Sequence, residues 1–222
     1  AVTAIQRFGS ALNVNPHYHC LAVQGVFCDD GSGGLRFLPL PAPSDHEVER
    51  LLASARRRII RLVRRHGVDL DGTGAEVERA DALAEESPAL AGLAGASVAG
   101  LLAMGSDAGA RPQRLGVDFE RAPSTSRGPC HANIDGFDLH AAVAVPAGDR
   151  GRLEHLARYV LRPPVAQDAL ERMPDGRVLL KIRRPWSDGT RGLVFEPLAL
   201  LARLAALTPR PRVNLLLYHG LC

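Results

Sequence analysis

The sequence predicts an α+β fold, a mainly antiparallel central sheet with helices packed on it. Short apolar runs bounded by glycine- and proline-rich turns recur towards both ends of the chain. At least two pairs of these runs are close enough to close hairpins, and single helical patterns separate the others. With 222 residues, 46% of them hydrophobic, the chain can bury one sizeable core.

Residues 2–12 hold an apolar pattern too short to classify; Gln6 and Arg7 can lie near the histidine strand that follows, but a solvated surface role is the expectation for both. The run from His17 to Phe27 reads as one buried strand. Asp29 to Gly34 is a turn signal, and Leu35 to Leu40 a returning strand. Ser44 and Glu47 form a capping box that opens a helix. In that helix Val48, Leu51, Leu52, Ala55, Ile59, Leu62 and Val63 recur at helical spacing. It also carries Arg56, Arg57, Arg58, Arg61, Arg64 and Arg65, a run that suits a phosphate backbone and equally a solvated face.

Residues 69–127 are the least informative, with a short acidic helix expected from Glu76 to Leu83 and a small-residue stretch from Ala89 to Met104. A connector is expected from Arg121 to Cys130, and a strand from Gly136 to Val145. Asp149 caps a helix from Arg150 to about Leu161, which stops at Arg162-Pro163-Pro164 because proline disfavours helical geometry in the residue before it. Gly176 to Arg183 and Gly192 to Phe195 read as strands of a hairpin, Pro197 to Leu207 as a helix and Arg212 to Tyr218 as a last strand.

Composition excludes some functions. There is no uninterrupted apolar run of about 18 residues, so no membrane partner is expected. Residues 69–127 hold no phosphate-loop pattern. The net charge is +3, and Lys181 is the single lysine. An arginine-rich chain permits nucleic-acid binding without demanding it. Cys20, Cys28, Cys130 and Cys222 contain no Cys-x-x-Cys pair, which argues against a structural zinc site and fits reduced thiols in a cytoplasmic protein.

His17 and His19 alternate in an extended run, so both project to one face, where two imidazoles can ligate a divalent ion. The same spacing also fits two ordinary strand histidines. Tyr159 sits on a helix that follows another strand, four residues after His155 and on the same helical face. A tyrosine oxygen can attack a phosphodiester whose oxygens are polarised by such an ion, giving a covalent phosphotyrosine.

The segment Gln6 to Asn13, followed by Asn-Pro-His-Tyr-His-Cys at Asn15 to Cys20, resembles the histidine-hydrophobic-histidine region of rolling-circle transposases of the IS-ninety-one type, within the HUH single-strand endonucleases. The resemblance continues at Gly136 to His140, Arg158 to Pro164, Arg184 to Thr190 and Pro209 to Gly220. It implies an HUH-like fold and metal-dependent nicking and strand transfer of single-stranded DNA at mobile-element ends, through a 5′-phosphotyrosine. It implies Mg2+ or Mn2+ on His17 and His19, and Tyr159 as nucleophile. His155 stands where two-tyrosine members carry their first tyrosine, so the chain is similar to the single-tyrosine common-region relatives.

A third metal ligand is usual in that group. His140 is the candidate, Asp138 on the same strand face is the alternative, and a structural histidine fits His140 as well. Arg7, Arg158 and Arg162, with Arg184 and Trp186 of the hairpin, are the candidate DNA contacts; Trp186 also fits core packing. One catalytic domain over 1–222 is expected, with a helical or irregular insertion at about 44–130. The N-terminal zinc-binding region and C-terminal tail of the related transposases have no counterpart in this sequence, so a truncated or partial gene product is expected. An inactive DNA-binding remnant is the alternative function, and a generic metal-binding or hydrolytic α+β domain a third.

Overall fold

The first strand, β1 (Val2–Phe8), is the run that was too short to classify, and it lies in the middle of a sheet. Its inward-facing Ala4 and Gln6 are buried, and it pairs antiparallel on one side with β2 (Val14–Leu21). The computed structural model describes residues 1–66, 82–117 and 128–220. Within these residues the chain is an α+β protein whose strand ladders are all antiparallel. The strands fall into a three-stranded sheet, a four-stranded sheet and two hairpins rather than one continuous sheet.

The expected strand from His17 to Phe27 is two elements. β2 stops at Leu21, and β3 (Gly25–Asp29) begins after a break at 22–24. Only β3 pairs with the returning strand β4 (Leu35–Pro39), across a turn in which Asp30 accepts hydrogen bonds from the backbone of Ser32 and Gly34. The histidine half turns to β1 instead. It is not a buried strand: Tyr18 is 63% exposed. A strand covered on one face alternates in burial, whereas a run of apolar letters suggests cover on both.

Helix α1 (Asp45–Arg65) opens with the expected capping box: Ser44 Oγ accepts the Glu47 N–H at 3.3 Å and the Glu47 carboxylate accepts the Ser44 N–H at 2.8 Å. Of its apolar stripe only Val48 and Leu52 are buried; Leu51, Ile59 and Leu62 are exposed. Helices α2 (Ala82–Glu86) and α3 (Pro88–Val98) and strand β5 (Gln113–Leu115) follow. The acidic helix expected from Glu76 and the connector expected from Arg121 fall largely outside the described residues, as does Cys222.

β6 (His131–Ile134) and β7 (Phe137–His140) close a hairpin over Asp135 and Gly136, both at positive φ. The strand expected to reach Val145 therefore ends at His140. Helix α4 (Arg150–Val160) is capped by Asp149, whose Oδ1 accepts the Arg152 N–H at 2.9 Å. It ends ahead of the two prolines, as their geometry requires. β8 (Leu170–Arg172), β9 (Val178–Lys181) and β10 (Gly192–Phe195) join β5 in the order β5-β10-β9-β8. The chain closes with helix α5 (Pro197–Leu207) and β11 (Leu216–Tyr218), which pairs with the free side of β1.

By internal contacts the described residues form two units. One comprises 1–21, 82–117 and 154–220, with a core of Leu12, Val14, Leu180, Leu193, Phe195 and Leu200 among others. Arg203, 2% exposed, is buried in this unit; it donates to the carbonyls of Ala11, Gly100 and Leu101. The other unit comprises 22–66 and 128–153, where Val48 and Leu52 of α1 pack on Ala132 of β6. Here Arg56 pairs with Asp135 at 2.6 Å, so part of the arginine run on α1 serves this unit internally. Among the described residues no helix is long and apolar enough to cross a membrane.

Candidate functional site

The first unit brings together three of the residues singled out by sequence. His17 and His19 alternate on β2, and their rings meet edge-on with centroids 5.0 Å apart. The ring of His19 meets that of Tyr159 on α4, centroids 5.8 Å apart, in the same edge-on manner. Local pattern accounts for the shared histidine face. The meeting with Tyr159 depends on where α4 docks, and one buried contact there joins it to β1: Gln6 Nε2 donates to the Val160 carbonyl at 2.5 Å.

The two imidazoles are differently held. His17 Nδ1 lies 2.9 Å from the Asn15 carbonyl. Because a carbonyl only accepts, that nitrogen carries the proton and Nε2 keeps its lone pair. His19 Nε2 is buried without a hydrogen-bond partner. Burial lowers the His19 pKa from its ordinary value, and the neighbouring His17 and the Arg162 guanidinium lower it further. All three effects favour the neutral ring, the form that ligates a cation. An unpartnered ring nitrogen on one imidazole, and a second imidazole whose Nδ1 is tied to a carbonyl, are two donors of the kind a divalent ion takes. The residues present thus fit the expected cation.

Tyr159 is 46% exposed, so its ring is open to solvent. The guanidinium of Arg162 lies over that ring at 4.5 Å and over Phe8 at 6.0 Å. Of the other expected DNA contacts, Arg7 donates to the Thr208 carbonyl at 2.8 Å, at the end of α5. Arg158 pairs with Glu154 one turn earlier. Arg184 is exposed in the loop joining β9 and β10. Trp186 packs against the core, and the Arg114 guanidinium lies 5.3 Å from its ring centroid. The core-packing alternative for Trp186 therefore has direct support.

His140 and Asp138 belong to the second unit, on β7. There Asp138 accepts from His131 Nε2 at 2.9 Å, and the rings of His131 and His140 lie 6.2 Å apart. The expected trio of His17, His19 and His140 is thus divided between the units. Among the described residues no group of three or more His, Cys, Asp or Glu is placed to hold a metal ion. His155 is exposed on α4. Arg203 was not singled out for the site, and Gln6, for which a solvated surface role was expected, is instead buried at 5% exposure; a polar residue alternating with apolar ones in a strand opposite the histidines was the available signal for it.

Fold and site define a protein that sets a histidine pair against a helix-borne tyrosine on an antiparallel α+β scaffold. Over residues 1–222 the chain matches the family model described as putative transposase, and it belongs to that family. It is thus of a transposase family, whose enzymes cleave and transfer DNA. No curated protein and no solved structure matches the chain.

Proposed function

We propose that the chain nicks single-stranded DNA at mobile-element ends and transfers the strand through a 5′-phosphotyrosine on Tyr159, as in rolling-circle transposition by HUH enzymes. The observation that carries this reading is the convergence of His17, His19 and Tyr159 on one face of the β1–β2 sheet. Tyr159 Oη attacks the phosphorus, its proton passes to water, and the 3′ oxygen leaves and takes up a proton. One phosphate ester forms as one breaks. A later strand end reverses the exchange, so no nucleotide cofactor is consumed.

His17 and His19 would hold Mg2+ or Mn2+, which when bound offsets the charge that grows on the phosphate oxygens. The protein's own side chains orient the reactants. Arg162 offers its guanidinium to the phosphate beside the attacking ring. Arg7, Arg158 and Arg184 are the proposed contacts along the strand, with Trp186 bracing the Arg184 loop from its place against the core.

The test is a covalent adduct between the full chain and a single-stranded oligonucleotide carrying an element end, resolved on a denaturing gel with Mn2+. Tyr159→Phe is expected to abolish the adduct, and His17→Ala with His19→Ala to abolish its metal dependence. Adduct undiminished in Tyr159→Phe would remove Tyr159 from the mechanism. Binding without adduct at any divalent ion would instead mark a DNA-binding remnant.

A further inference from the structure

We infer that Gln6 supplies the third protein donor of the cation site, through Oε1; this rests on the reading of His17 and His19 as the metal-holding pair. Gln6 is the Cα partner of His17 across the β1–β2 ladder, and Ala4 that of His19. Directly opposed residues of an antiparallel pair project to one face, with Cβ atoms about 4.5–5.5 Å apart. Gln6 therefore shares the histidines' face, with only the small Ala4 opposite His19. Its side chain is 5% exposed.

The orientation of the carboxamide follows from chemistry. The Val160 carbonyl only accepts, so the amide edge 2.5 Å from it is Nε2. The oxygen is turned the other way, and Oε1 is buried with no hydrogen-bond partner. An unpartnered buried amide oxygen costs roughly 1–3 kcal/mol, and His19 Nε2, on the same sheet face, is unpartnered as well. Two polar atoms orphaned on one face, the face that His17 shares, are explained together by one cation. A neutral carboxamide oxygen is a hard donor suited to Mg2+ or Mn2+. The same side chain ties the site to the residue after Tyr159, so cation position and nucleophile position are set by one amide.

Mn2+ binding to the full chain, without DNA, tests this by titration calorimetry and by the loss of the free-ion electron paramagnetic resonance signal. Gln6→Leu is expected to weaken Mn2+ binding by about tenfold or more. Gln6→Glu is expected to bind Mn2+ at least as tightly as the native chain, because it restores an oxygen donor, while melting at a lower temperature, because a carboxylate cannot donate to the Val160 carbonyl. A purely structural Gln6 would show the opposite, with no rescue of binding by glutamate. Native affinity in Gln6→Leu, or weakened affinity in a folded Gln6→Glu, overturns the inference while His17→Ala with His19→Ala still loses Mn2+. If the native chain itself binds no Mn2+, the reading of the histidine pair falls, and this inference with it.

Discussion

The rings of His19 and Tyr159 stand edge-on with centroids 5.8 Å apart, although one residue belongs to the second strand and the other to the last turn of α4. On the proposed reading, a phosphate bound at the histidines would lie between them and the phenol, where nucleophile and phosphorus can approach. The Gln6 contact to Val160 ties β1 to the end of the same helix.

Tyr159→Phe removes a hydroxyl from a side chain that is 46% exposed. Stability is expected to change by less than about 0.5 kcal/mol, while adduct formation disappears. Urea unfolding of the variant beside the adduct assay separates lost chemistry from lost fold.

Arg162 lies over the Tyr159 ring at 4.5 Å, where a cation contributes ~1 kcal/mol and can also meet phosphate. Arg162→Ala is expected to slow single-turnover adduct formation about five- to tenfold even at saturating oligonucleotide, and Arg162→Lys less. Full recovery of the rate at saturation would reduce Arg162 to a binding contact.

Arg203 is a buried cation held by three backbone carbonyls instead of a carboxylate, and burial lowers its pKa from the ordinary arginine value. It ties α5 to the turn that leads into β2 through Ala11. Arg203→Met keeps much of the volume but orphans those carbonyls, and is expected to cost about 2–3 kcal/mol, read as a shifted denaturation midpoint. An unchanged midpoint would mean that water satisfies the carbonyls.

Glu196 accepts from Ser106 Oγ at 2.5 Å and from the Ser106 N–H at 2.9 Å. The side-chain bond, and then the backbone bond, hold its pKa below the ordinary value. A depressed folded pKa stabilises the fold above the unfolded pKa, about 4.3, and the contribution is lost as pH falls through the folded value. The melting temperature of the native chain should therefore exceed that of Glu196→Gln at pH 7, with the gap closing below about pH 4. A gap that persists at pH 3 would assign the effect to packing. Gly105 beside it has φ +96, and a Cβ there would run into Glu196 Oε2, so Gly105→Ala is expected to disturb the same contact.

Features of short range were legible in the chain. The capping box at Ser44 and Glu47, the Asp149 cap and the stop before Pro163 arise from residues within a few positions of each other, and the β9–β10 hairpin joins strands that are neighbours in the chain. Period-two alternation likewise placed His17 and His19 on one face. The split of the expected His17–Phe27 strand was not legible, because seven apolar or aromatic letters in a row do not say which half finds a hairpin partner and which a distant strand.

The sequence by itself determined the α+β class, the histidine face and the helix that bears Tyr159, since turns, caps and alternation are set by local sterics and backbone hydrogen bonding. Only the tertiary structure decided that β1 runs between β2 and β11, that Gln6 faces His17 and reaches Val160, and that Arg203 rather than an apolar residue is buried beside α5's core partners. Strand pairing and helix docking join residues far apart in the chain. They are chosen by the total surface buried and by which polar groups find partners, quantities that no local window contains.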